Sequence, residues 1–125
     1  MTVRLDHTIV PAHDQRASAD FLAHILGVEV GEPSPPFVPI TVANGVTLDY
    51  LSSDRVVQHH YAFTVSDDEF DAALARLHAA GVTIYAGPDR RPEGEINHRF
   101  GGRGVYFDDP DGHLMEIMTR PEPAS

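Results

Sequence analysis

Two histidines and two carboxylates stand at matching places in this 125-residue chain, and together they form a donor set suited to a divalent metal ion. His7 and His60 each lie in a short apolar run that reads as a strand, Leu5 to Val10 and His59 to Val65. Asp49 and Glu116 lie in later strand-like runs, Val46 to Leu51 and Gly112 to Thr119. Successive side chains of a strand point to opposite faces. Tyr61, Phe63 and Val65 form the apolar set that should pack under a helix, which leaves His60 with Ala62 and Thr64 on the other face. In the same way Met115 and Ile117 go inward and Glu116 shares a face with Leu114 and Met118. Leu48 and Tyr50 leave Asp49 opposite them, and His7 alternates with Thr8. A lone strand histidine is ordinarily a hydrogen-bonded core residue, and a lone carboxylate a solvated one. The recurrence of the pair counts against both, because a buried carboxylate is costly unless a cation or several hydrogen bonds compensate it. Two imidazoles and one carboxylate with open positions suit Fe(II) or Mn(II), and a second carboxylate extends the choice to Ni(II) and Zn(II). The chain has no cysteine, which excludes thiolate ligands, a cysteine nucleophile and disulfides.

The elements that position these side chains read as one module written twice. After the first strand, Asp14 is an N-cap, Phe21, Leu22, Ile25 and Leu26 recur at helical spacing, and Gly27 ends the helix. Val28 to Val30, Val38 to Val42 and Val46 to Leu51 follow as strands, divided by the Pro-rich stretch from Glu32 to Pro36 and by the Asn44-Gly45 turn. The second copy starts at the His59 strand, continues with a Ser66/Glu69 capping box before Phe70, Ala73, Leu74 and Leu77, and leaves its helix at Gly81. Gly27 follows His7 by 20 residues and Gly81 follows His60 by 21. Gly104 to Asp108 and Gly112 to Thr119 are the last strands, joined by an Asp109-Pro110-Asp111-Gly112 turn. The prediction is an α+β fold in a single domain, 1–125, with βαβββ modules at about 3–52 and 57–120. A long polar connection from Gly87 to Arg103 is of the kind that often carries function, and the tail from Pro121 to Ser125 should fray.

Composition narrows the partners. Nineteen acidic against nine basic residues give a formal charge of −10, which repels nucleic-acid phosphates. Met1 to His7 has no apolar signal core, and no apolar run approaches the roughly 20 residues that span a bilayer. The expectation is a cytoplasmic protein that acts on a small molecule and binds neither nucleic acid nor membrane.

Leu5-Asp6-His7-Thr8-Ile9-Val10, His60-Tyr61-Ala62-Phe63 and the run from Val105 to Glu116 through Asp109-Pro110-Asp111-Gly112 together resemble the vicinal oxygen chelate superfamily. Glyoxalase I, fosfomycin-resistance enzymes, bleomycin-binding proteins, extradiol dioxygenases and methylmalonyl-CoA epimerase belong to it. The resemblance implies that the two modules form a half-open mixed-sheet cup with flanking helices, with His7, His60 and Glu116 as metal ligands. Asp49 stands where glyoxalase I has its additional carboxylate, and is one methylene shorter. Ile96-Asn97-His98, then Val105-Tyr106 and Glu116, is similar to the extradiol signature, which implies His98 as an acid or base and Tyr106 as a hydrogen-bond donor near the metal. The resemblance implies an extradiol-type dioxygenase, with a glyoxalase-like lyase or isomerase and a fosfomycin-modifying enzyme as alternatives. It also implies a homodimer. His113, Arg99 and Arg103 are candidates to orient an anionic group. A metal-free, bleomycin-type drug-binding protein is the alternative of another class. The acidic charge favours it, whereas the retained His7, His60 and Glu116 and the lack of tryptophan for stacking oppose it.

Overall fold

The computed structural model describes residues 2–123, and the chain divides between Val57 and Gln58 into two compact units. Met1, Ala124 and Ser125 lie outside the described residues, so the expected fraying at the end of the tail falls partly beyond them.

In the first unit, β1 (His7–Ala12) is followed by α1 (Gln15–Leu26), β2 (Val38–Thr41) and β3 (Thr47–Ser52). The sheet order is β1-β3-β2, with β1 parallel and β2 antiparallel to β3. Asp14 caps α1 by accepting the Ala17 N–H, and Gly27 closes it in the left-handed region at φ 73°. Val10, Ala12, Ile40, Leu48 and Tyr50 on the sheet are buried with Leu22 and Ile25 of the helix. Pro11 is tolerated inside β1 because the carbonyls of Asp6 and Ala12 accept from Thr47 and Ser53 of the neighbouring chain segment. The nitrogens of the odd-numbered residues then fall on the side of this edge strand away from β3.

The predicted strand at Val28 to Val30 does not form. Gly31 donates one hydrogen bond to the Pro39 carbonyl, but a proline nitrogen has no proton to return, and the ladder stops after a single rung.

The second unit has the strands and helix named for the second module, β4 (His60–Thr64), α2 (Asp67–Ala79), β6 (Gly104–Asp108) and β7 (Leu114–Met118), together with a short β5 (Ile84–Tyr85), in sheet order β4-β7-β6-β5. β4 runs parallel to β7, and β6 is antiparallel to both β7 and β5. This is the order of the first sheet with its missing strand restored. The capping box of α2 is complete, Ser66 Oγ accepting the Glu69 N–H and Glu69 accepting the Ser66 N–H. Phe70, Ala73 and Leu77 of the helix are buried, as are Val105, Phe107, Met115 and Ile117 of the sheet. Both units are mixed α+β, and no helix among the described residues is long and apolar enough to cross a membrane.

Candidate functional site

Glu116 of β7 lies opposite Ala62 of β4 on one side and Tyr106 of β6 on the other, so these three residues make one row across the sheet. His60 precedes Ala62 by two residues and shares its face. The His60 Nδ1 atom is 2.9 Å from the carbonyl oxygen of Leu114, which can only accept, so Nδ1 is the protonated nitrogen. The other ring nitrogen, Nε2, is 3.1 Å from Glu116 Oε1. In a neutral imidazole it carries only a lone pair, and it faces a carboxylate oxygen that also only accepts. Either a second proton or a cation must lie there. Tethering one ring nitrogen to a carbonyl while the other is presented beside a carboxylate is how metal-binding histidines are held. Glu116 is only 8% exposed, which raises the cost of leaving its charge uncompensated.

Tyr106 and Arg99 supply the rest of this polar group. Arg99 Nη1 donates to the Tyr106 hydroxyl at 2.8 Å, and Tyr106 is the cross-strand neighbour of Glu116. Burial, reinforced by the Glu116 charge, raises the Tyr106 phenol above its ordinary value against the opposing influence of Arg99. The phenol therefore stays protonated at neutral pH. The His60 and Tyr106 rings stack at 5.9 Å. A cavity of about 370 Å³ opens over this face, lined by these four side chains and by Ala62, Pro88, Phe100, Met118 and Glu122. The long connection delivers Arg99 and Phe100 because Asn97 pins it. Asn97 exchanges backbone bonds with Gly104, its Nδ2 donates to the Ala86 carbonyl, and its Oδ1 accepts the Arg99 N–H. A Cβ on Gly104 would come within 2.8 Å of that Asn97 side chain, so the position needs glycine.

The first unit repeats the arrangement in register. Asp49 lies opposite Ile9, two residues beyond His7, as Glu116 lies opposite Ala62, two beyond His60. His7 Nδ1 is held at 2.8 Å by Asp6 Oδ2. The hydrogen bond accepted by Asp6 is the main influence raising this imidazole above its usual value, and the Asp49 charge adds to it. Each unit contributes one histidine and one carboxylate on one face. Within neither unit, among the described residues, do three such groups gather closely enough to hold a metal by themselves.

Other expected residues lie outside this polar group. His98 is exposed and outside the cavity lining. His113 is fully buried and accepts the His59 N–H at Nδ1, so it braces the turn. Arg103 bonds Asp71 and Asp67 and lies over the Phe70 ring at 4.6 Å, which ties β6 to α2. Phe100 went unnoticed in the sequence. It occupies the left-handed region at φ 57° and forms part of the cavity wall, a placement that no periodicity announces.

The sequence profile of the Glyoxalase/Bleomycin resistance protein/Dioxygenase superfamily matches residues 4–117. The chain belongs to this superfamily. Oxidase ChaP-H2 is similar over almost its whole length, at 55% identity with a TM-score of 0.96, covering 99% of this chain and 98% of that one. Metallothiol transferase FosB of Shouchella clausii (strain KSM-K16) is 42% identical over 60 residues, 48% of this chain and only 37% of that protein. A solved E126Q mutant of the fosfomycin resistance protein FosX from Listeria monocytogenes, complexed with Mn(II) and 1S,2S-dihydroxypropylphosphonic acid, shares the fold. It shows 24% identity and a TM-score of 0.74, covering 97% of this chain and 95% of that one. Like its named relatives, the chain is an enzyme.

Proposed function

We propose that this enzyme oxidises a small oxygen-bearing metabolite with one divalent metal ion, held by His60 and Glu116 together with His7 and, as an additional ligand, Asp49. The observation that carries the metal is the facing pair of His60 Nε2 and Glu116 Oε1 with the other ring nitrogen tethered to a carbonyl. The donor set of nitrogen and oxygen fits Fe(II) or Mn(II), with Ni(II) and Zn(II) as alternatives. Bound there, such an ion supplies Lewis-acid stabilisation of negative charge on neighbouring substrate oxygens and, as iron, one-electron chemistry with O2. The side chains of the chain do the rest. Tyr106 holds its proton beside Glu116, Arg99 offers its remaining N–H groups to an anionic oxygen, and Ala62, Pro88, Phe100 and Met118 keep water from the cavity wall.

Oxidation is preferred to group transfer because the likeness to an oxidase reaches 55% identity over nearly the full chain, whereas the likeness to metallothiol transferases is 42% over 60 residues or 29% over 126. Ring opening of extradiol type, with His98 as acid or base, is the finer form of the proposal. The transferase likeness favours modification of fosfomycin as the second reading.

The test is oxygen uptake by protein loaded anaerobically with Fe(II), using a panel of catechols and hydroxyquinones. Uptake by wild type is expected, with retention of ¹⁸O in an opened product if the reaction is extradiol. Glu116→Ala should lower metal affinity at least about tenfold and abolish uptake. No uptake at full iron occupancy, together with thiol-dependent consumption of fosfomycin, would establish the second reading instead. Wild-type metal affinity in Glu116→Ala would remove the ligand assignment.

A further inference from the structure

The geometry points to Arg99 as a positioning residue that acts on Glu116 through the hydroxyl of Tyr106, without touching the carboxylate itself. This rests on reading His60 and Glu116 as metal ligands. A guanidinium has only donors, so the 2.8 Å contact from Arg99 Nη1 obliges the phenol oxygen to accept. The phenol has one proton. With the oxygen engaged by Arg99, that proton is directed to the neighbouring acceptor, Glu116, which lies directly across the β6–β7 ladder. Tyr106 is 3% exposed, and its ring is stacked against His60, which limits the directions its hydroxyl can take. The carboxylate is thereby turned, with one flank towards the phenol and Oε1 facing His60 Nε2. Without Arg99 the hydroxyl can rotate and accept elsewhere, and Glu116 loses the donor that fixes its orientation.

Charge and position predict opposite signs for removal of Arg99. Deleting a cation from a cavity that contains Glu116 and Glu122 should, by Coulomb attraction alone, tighten binding of a divalent ion. Loss of an outer partner that orients a ligand should weaken it, typically by about 10- to 100-fold.

The experiment measures Mn(II) dissociation constants by EPR for wild type, Arg99→Met, Arg99→Lys, Tyr106→Phe, the Arg99→Met/Tyr106→Phe double variant and Glu116→Gln. Thermal melts of each protein report folding. Arg99→Met is expected to weaken Mn(II) binding about tenfold, as is Tyr106→Phe, while the double variant should match Tyr106→Phe alone. Arg99→Lys, which keeps a donor and the charge, should stay within about threefold of wild type, and this arm decides the matter if Arg99→Met melts early. Unchanged or tighter Mn(II) binding in Arg99→Met, or an undiminished tenfold loss when Arg99→Met is made on Tyr106→Phe, overturns the inference. Glu116→Gln separates the two layers. Wild-type affinity there removes the metal reading and this inference with it, whereas lost affinity there with a silent Arg99→Met removes the positioning role alone.

Discussion

At Asp109 the two carboxylate oxygens have opposite circumstances. Oδ1 accepts the Asp111 and His113 N–H groups, each at 2.9 Å, while Oδ2 is buried with no hydrogen-bond partner among the described residues. Desolvation raises this carboxyl above its ordinary value, against the opposing backbone bonds and His113. A carboxyl raised on folding binds more protons in the native state than in the unfolded one. The stability this gives is present below the ordinary Asp value and is lost as pH rises through the higher folded value. Asp109→Asn keeps the acceptor and removes the charge, so its melting temperature should gain on wild type between pH 4 and pH 7. A gap that shrinks with rising pH would contradict the assignment. Asp109→Ala leaves two buried N–H groups unpaired and should cost about 1–3 kcal/mol for each. Legibility at this scale followed periodicity. His60, Glu116, His7 and Asp49 could be placed by alternation because strands have a period of two. Arg99 and Phe100 lie on an aperiodic loop, and their arrival at the cavity depends on the side-chain bonds of Asn97 and a left-handed residue.

Elements were legible where the end signals were local. Ser66 and Glu69 are three residues apart, and both halves of the capping box form. The hydrogen bonds from Ser66, that of its backbone first, hold the Glu69 carboxyl below its ordinary value. That contribution is present above the ordinary Glu value and lost as pH falls through the lower folded one. Ser66→Ala removes the hydroxyl arm and should cost about 1 kcal/mol at pH 7, seen as a melting point lower by about 4 °C, whereas the Glu69 arm on the Ser66 N–H survives it, and Glu69→Ala should carry a penalty that shrinks in acid. An equal penalty at pH 3 would mean that the Glu69 arm of the box adds nothing. The strand at Val28 to Val30 was misread for a reason that lies elsewhere in the sequence. Its apolar residues fit a strand, but the segment it would pair with carries Pro39, and pairing is decided by the partner.

Across the molecule, the repeat was legible in the helix exits and in the spacing from histidine to glycine, and it returns in the sheets as a common strand order and a common histidine-to-carboxylate register. What covers the first unit was not legible from that repeat. Val3 is 89% and Leu5 68% exposed, with Ile9 further along β1 and Val57 at the unit boundary also open. These are large apolar side chains on a chain whose formal charge of −10 otherwise keeps its surface well solvated. A homodimer that buries Val3 and Leu5 would account for them. Both side chains are solvated within one chain, so Val3→Ser/Leu5→Ser should leave the fold of each chain within about 0.5 kcal/mol of wild type. Burial of a leucine side chain is worth roughly 1.5–3 kcal/mol, so losing it at an interface should weaken association by about 10- to 100-fold. Light scattering over a dilution series is expected to show two-chain particles for wild type at micromolar concentration, with the variant dissociating at higher concentration and an unchanged circular dichroism spectrum. Wild type that scatters as a single chain throughout, or a variant that dimerises as tightly as wild type, would put these residues outside any interface between copies.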